Sequence, residues 1–160
     1  MAKTLYIIRG IPGSGKSTFA KGLLNEFMRA KQTAYHYESD EFFMVDGEYK
    51  FDGSKLGAAH ARCFNNIKSA IVGEVENVIV SNTFTTMKEM KDYLDLAERN
   101  GYDVKVFRMM GSCTDPDADI LTRFADFKNE HKVPIEVLYN MANRFYDYDG
   151  ETIIRPRLHG

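Results

Sequence analysis

The 160-residue chain is short of cysteine, of net charge and of long apolar runs, and each shortage removes a class of protein. Its two cysteines, Cys63 and Cys113, form no C-x-x-C pair. That argues against a disulfide scaffold or a cysteine-ligated zinc and for free thiols in a reducing cytoplasm. A net charge of −2 excludes a surface coated for nonspecific nucleic-acid binding, so any grip on a polyanion has to be local. No apolar stretch approaches the roughly 20 residues that span a bilayer, so no membrane partner is expected. Only Leu5-Tyr6-Ile7-Ile8 precedes Arg9-Gly10, too little for a secretory leader, and cytoplasmic residence is the expectation. There is no internal repeat, no low-complexity tract and no legible seam for a second copy.

What is present reads as one globular α/β domain. Hydrophobic residues make up 44% and charged residues 28%, an ordinary balance for a chain able to bury a core. Short apolar runs alternate with helical periodicity. Strands are predicted over 4–9, 33–38, 78–80 and 104–107. Helices are predicted over 15–30, 54–73 with Ser54 as a possible N-cap, from Thr85 or Thr86 to Asn100-Gly101, over 116–128, and from Pro134 through Phe145. In the first helix Phe19, Leu23, Leu24, Phe27 and Met28 form one stripe. Residues 41–54 read as a turn of helix and a loop. The alternation predicts a parallel sheet sandwiched between helices with right-handed crossovers. Ligands of such folds sit beyond the carboxyl ends of the strands.

The strongest signal lies at that edge. Gly10-Ile11-Pro12-Gly13-Ser14-Gly15-Lys16-Ser17 is a G-x-x-x-x-G-K-[ST] loop between a predicted strand and a predicted helix. Its glycines bring backbone N–H groups against phosphate oxygens, and the helix start beyond adds unpaired donors. Lys16 is expected on the β- and γ-phosphates of ATP, Ser17 on Mg²⁺, and Thr18 at the rim of the same site.

Other residues carry two readings each. Asp40 is either a helix N-cap or the base that takes the proton of an attacking hydroxyl. Ser81-Asn82-Thr83 either caps the next helix or stands where related strands often end in an Asp that holds Mg²⁺ or its water. Cations in 123–134 form either a solvated turn or a lid over the triphosphate. His60 lies mid-helix among small residues, facing core, solvent or substrate. Tyr35, Tyr37, Phe42, Phe43, Tyr49 and Phe51 either pack a core and its rim or stack bases.

Placed in this order, the motifs resemble the polynucleotide-kinase branch of P-loop kinases, and most closely phage and bacterial relatives of the kinase-like domain of the Nedd-four-binding protein two family. The matching stretches are Gly10 to Thr18, Ser39 to Phe43, Gly47 to Asp52, Leu56 to Arg62 with Ala59-His60, Val78 to Thr83, and Asn129-x-His131-x-Val133-Pro134. The resemblance implies a P-loop kinase domain over 1–149, a small helical lid at about 111–134 and a tail at 150–160. It implies Asp40 as general base and second metal residue beside Ser17, and Lys128, with Arg123 as an alternative, as the lid cation. His60, Arg62, Asn82 and Thr83 are expected toward the acceptor. If the chain is phage-encoded, the cytoplasm is the host's.

Three departures from the family pattern stand out. Phe43 occupies the place of an arginine in the T-even phage kinase domain. Lys128 and Lys132 replace Arg and Gly in the lid. Ser81 replaces an acid found in many members. The expected activity is transfer of the γ-phosphoryl group of ATP to an alcohol, first of all the 5′-hydroxyl of a nucleic acid. A nucleoside, a nucleotide or a hydroxymethylated base in DNA is the alternative acceptor, and a non-catalytic ATP-binding switch is the alternative function.

Overall fold

The computed structural model describes residues 2–11, 14–109 and 148–154. Strands β1 (Thr4–Arg9), β2 (Ala34–Tyr37), β5 (Asn77–Asn82), β6 (Asp103–Met109) and β7 (Thr152–Ile154) form one sheet in the order β2-β5-β1-β6-β7, with every pair parallel. Strands β3 (Met44–Val45) and β4 (Glu48–Tyr49) form a small antiparallel hairpin. Helices α1 (Lys16–Arg29), α2 (Leu56–Val72) and α3 (Met87–Arg99) complete the described framework. None of these helices is long and apolar enough to cross a membrane.

Both faces of the sheet are buried, which is why β1 and β5 read as continuous apolar runs. Alternation divides their side chains between two cores. Leu5, Ile7, Val78, Val80 and Val106 face Cys63, Ile67 and Ile71 of α2 and Met90, Tyr93 and Leu96 of α3. Tyr6, Ile8, Ile79 and Met109 face Ala20, Phe19, Leu23, Leu24 and Phe27 of α1. Four of the five residues of the predicted α1 stripe therefore pack. Met28 does not and is 62% exposed. At about 100° per residue it lies a quarter-turn or more beyond Phe27, off the sheet-facing side.

Local chemistry moves several predicted boundaries. Ser54 is not the cap of α2: Asp52 accepts the Ser54 N–H at 3.0 Å and caps a short 3₁₀ turn, Gly53–Lys55, that leads into the helix. Residues 41–54 are more ordered than a loop. A 3₁₀ turn spans Ser39–Phe43, and the hairpin closes through Asp46 and Gly47 at φ of 52° and 81°. That paired left-handed geometry fits the twist of the flanking strands. Helix α3 is capped at Thr86, whose N–H donates to the Glu89 carboxylate at 3.0 Å. Thr152–Ile154 form the short strand β7, which makes the sheet's edge beside β6. The predicted lid and the two helices expected beyond residue 110 lie outside the described residues.

Candidate phosphoryl-transfer site

The topology fixes which strand ends meet. Central β1 pairs with β5 from Thr4↔Asn77 to Arg9↔Asn82, and β5 pairs with β2 up to Tyr37↔Val80. The residues that follow β1 and β2 and the last residues of β5 therefore converge at one edge. The described part of the phosphate-loop motif starts there.

Two glycines serve that loop. Gly15 immediately precedes α1 at φ 94°, a left-handed backbone that favours glycine. A Cβ on Gly10 would stand 2.5 Å from Ser14 Oγ and 3.0 Å from the Met109 carbonyl oxygen, so the bend at Gly10 has no room for a side chain. The Gly10 N–H is held by the Thr83 carbonyl at 3.2 Å, so Thr83 supports the loop through its backbone. Lys16 Nζ donates to the Ile11 carbonyl at 3.2 Å, folding the ammonium back into the loop. Its removal from water pushes its pKa down to about 8, against the opposing pull of Asp40 and Glu38. Ser14 Oγ is buried and has no hydrogen-bond partner among the described residues. An orphaned hydroxyl inside such a loop is what a phosphate oxygen would satisfy.

Asp40 is not an N-cap. The cap position of its 3₁₀ turn is Glu38, and Asp40 is the second residue within the turn. The turn is fastened behind Asp40: the Ser39 N–H donates to Asn82 Oδ1 at 2.8 Å, and Ser39 Oγ bonds His60 Nδ1 at 2.8 Å. Asn82 Nδ2 points on to Cys63 Sγ at 3.6 Å. Asn82 and His60 thus hold the turn that carries Asp40, and the expectation that Asn82 caps the following helix is overturned, since Thr86 does so. From the hairpin, Tyr49 O–H donates to Asp40 Oδ1 at 3.4 Å. Burial, followed by the adjoining carboxylate, pushes the Tyr49 phenol up to about 12. Arg62 lies over the Phe42 ring, 5.2 Å from its centroid.

One residue that sequence reasoning passes over sits at the centre. Glu38 Oε2 accepts from Ser17 Oγ at 2.6 Å and from Ser81 Oγ at 2.9 Å. Ser81 Oγ is in turn 2.6 Å from His36 Nε2. The available signal was an acid at a strand end, two residues before Asp40. Of the other expected site residues, Pro12, Gly13, Arg123 and Lys128 lie outside the described residues.

The aromatic group proves mixed. Phe43 is buried and meets Phe42, Tyr49 and Phe51 with ring centroids 5.0–6.2 Å apart, while Phe51 stays 58% exposed. A cavity of about 310 Å³ opens here, lined by Phe42, Phe43, Phe51, Lys50 and Lys55 among others.

Comparison with known proteins follows the same lines. The family AAA_33, described as an AAA domain, matches residues 5–146. Human NEDD4-binding protein 2 is 34% identical over 100 residues, 62% of this chain and 5% of that protein. In the Pnkp1/Rnl/Hen1 RNA repair complex, one chain superposes with a TM-score of 0.63 at 18% identity, covering 90% of this chain and 44% of the other. The Mycobacterium tuberculosis APS kinase CysC, in complex with AMPPNP and APS, gives a TM-score of 0.60 at 13% identity over 97% of this chain and 88% of that one. The chain thus spans a small part of the first relative and under half of the first structural neighbour.

Proposed function

Since this chain belongs to the AAA_33 family and has the fold of polynucleotide-kinase-like P-loop kinases, we propose that it transfers the γ-phosphoryl group of ATP to a hydroxyl, with a nucleic-acid 5′ end or a nucleotide-like molecule as acceptor. The observation that carries this reading is the meeting of the Lys16–Ser17 loop with a fastened carboxylate, Asp40, whose charge acts on the Lys16 ammonium. Phosphoryl transfer asks a protein chiefly for positioning and charge stabilisation.

Asp40 takes the proton of the acceptor hydroxyl as its oxygen bonds to the γ-phosphorus. The bond to the β-phosphate oxygen breaks, and ADP departs with the electron pair. Lys16 offsets charge on the β- and γ-phosphates, and Ser14 Oγ offers a buried donor to the same group. The oxygens of Ser17 and the nearby carboxylates fit Mg²⁺, a hard cation that binds few protein oxygens and keeps several waters; when bound it would neutralise phosphate charge. The hydrogen bonds that Ser39 makes with Asn82 and His60 keep Asp40 from drifting.

The cavity beside the Phe43 cluster supports a nucleotide-like acceptor. It combines aromatic faces with Lys50, Lys55 and the Asp52 carboxylate, and Tyr49, which bonds Asp40, stacks on the Phe51 ring of its lining. Base stacking on aromatic rings is worth about 1–3 kcal/mol per base.

The test is a transfer assay with γ-labelled ATP against 5′-hydroxyl DNA and RNA, nucleosides and nucleotides. Label on a nucleic-acid 5′ end, weakening steeply as salt rises, supports the polynucleotide acceptor. Label on a small molecule with little salt dependence moves the acceptor to that class. Tight ATP binding with no transfer to any acceptor overturns the kinase reading in favour of a switch.

A further inference from the structure

We propose that Glu38 is the carboxylate of the Mg²⁺ site, delivered from β2 to the place where Ser81 leaves β5 without an acid. The inference rests on the nucleotide-binding part of the reading above and adds a residue to it.

Register makes the substitution possible. Tyr37 is level with Val80 in the parallel β2–β5 pair, so the next residues on the two chains, Glu38 and Ser81, come side by side. The 2.9 Å hydrogen bond between them follows. An ionised carboxylate only accepts, so both serine hydroxyls donate to Glu38 Oε2, one of them Ser17 of the phosphate loop at 2.6 Å. The Ser81 oxygen is then left to accept from His36 Nε2 at 2.6 Å, which sets the imidazole as the Nε2–H tautomer. Ser81, braced by His36, thereby bonds the same carboxylate oxygen that takes the Ser17 hydroxyl, the group that P-loop chemistry assigns to the metal.

The Glu38 side chain keeps 19% of its surface exposed, so an ion or a water held by it can reach the carboxylate. Asp40 accepts a hydrogen bond from Tyr49 of the hairpin, whose ring lies beside those of Phe43 and Phe51. The two acids thus divide the work, Glu38 serving the metal and Asp40 serving the acceptor hydroxyl. Ser81 and His36 are positioning residues that act through Glu38.

The experiment uses the full chain and Mn²⁺ as probe, with ADP, followed by electron paramagnetic resonance and by calorimetric titration of ADP with and without the metal. In Glu38→Gln, Mn²⁺ affinity of the ADP complex is expected to fall about tenfold or more, the range for lost residues that hold or orient a metal site, while metal-free ADP affinity does not fall, since a negative charge beside Lys16 is removed. Adding Ser81→Asp to that variant should recover part of the loss. Glu38→Asp, which keeps the charge and guards against a folding defect in the glutamine variant, should lose less than Glu38→Gln. Mn²⁺ affinity equal to wild type in Glu38→Gln, or equal losses in the glutamine and aspartate variants, would reduce Glu38 to a structural brace and overturn the proposal. Failure of the wild-type chain to bind ADP at all would instead sink the kinase reading beneath it.

Discussion

Arg9, wholly buried at the end of β1, is paired at 3.1 Å with Glu151, a residue 142 positions away in sequence. Its other donors serve the Phe84 carbonyl at 2.6 and 3.0 Å. Glu151 also accepts the Tyr148 N–H at 2.7 Å and lies 3.8 Å from Arg108. The pair ties the segment before β7 to the strand that launches the phosphate loop. Removing one member of a buried pair leaves an uncompensated charge, so Glu151→Ala should cost about 3–5 kcal/mol. Urea unfolding followed by circular dichroism measures it, and Glu151→Gln, which keeps an acceptor, should cost less.

Asp40→Asn should leave ADP binding intact and lower turnover by roughly two orders of magnitude or more, the contribution expected of a general base. Steady-state kinetics beside a calorimetric ADP titration reads both. Turnover near wild type would remove Asp40 from the chemistry.

Gly10→Ala tests the fit of the loop. The new methyl would meet Ser14 Oγ, which can rotate, and the Met109 carbonyl oxygen at 3.0 Å, which belongs to the backbone of β6, a strand paired on both sides. Overpacking of this kind costs about 1–3 kcal/mol. The strain falls on the loop, so ADP affinity should drop; a melting temperature and an ADP titration that both match wild type would refute the predicted crowding.

Lys16 predicts a pH dependence with a defined sign. Burial lowers its pKa to about 8 in the nucleotide-free protein, and bound phosphate favours the charged form. Below about pH 8 the ammonium is already charged. Above it, binding must take up a proton, so metal-free ADP affinity should fall as pH rises through 8. The same titration with Lys16→Met should be weak and flat.

Cys63 is buried between α2 and β5, and that burial raises its thiol pKa despite hydrogen bonds from neighbouring polar groups. The thiolate is the reactive form, so iodoacetamide should label Cys63 only on unfolding. Peptide mapping of native and urea-treated protein distinguishes the two states.

Much of the architecture could be read from one-dimensional pattern. The apolar runs at 4–9 and 78–80 announce strands buried on both faces, and the G-x-x-x-x-G-K-S string announces its own geometry because backbone amides, a tight bend and one lysine suffice for it. The hairpin at Asp46-Gly47 is not read from pattern: 41–54 passes for a turn of helix and a loop, because flanking strands of two residues are too short to show alternation. The capping at Asp52 in place of Ser54 was less legible, since either residue type caps well and only the backbone path selects between them.

The loop, its helix and the alternating elements are local properties: hydrophobic period and turn chemistry act between residues a few positions apart, so the order of amino acids alone specifies them. Glu38 against Ser17 and Ser81, His60 behind Ser39, and Glu151 on Arg9 are different. Each joins residues 21 to 142 positions apart, through a strand order of β2-β5-β1-β6-β7 that departs from chain order. No periodicity encodes which acid will face which hydroxyl across such crossovers; sheet register and close packing do, and they exist only once the chain has folded.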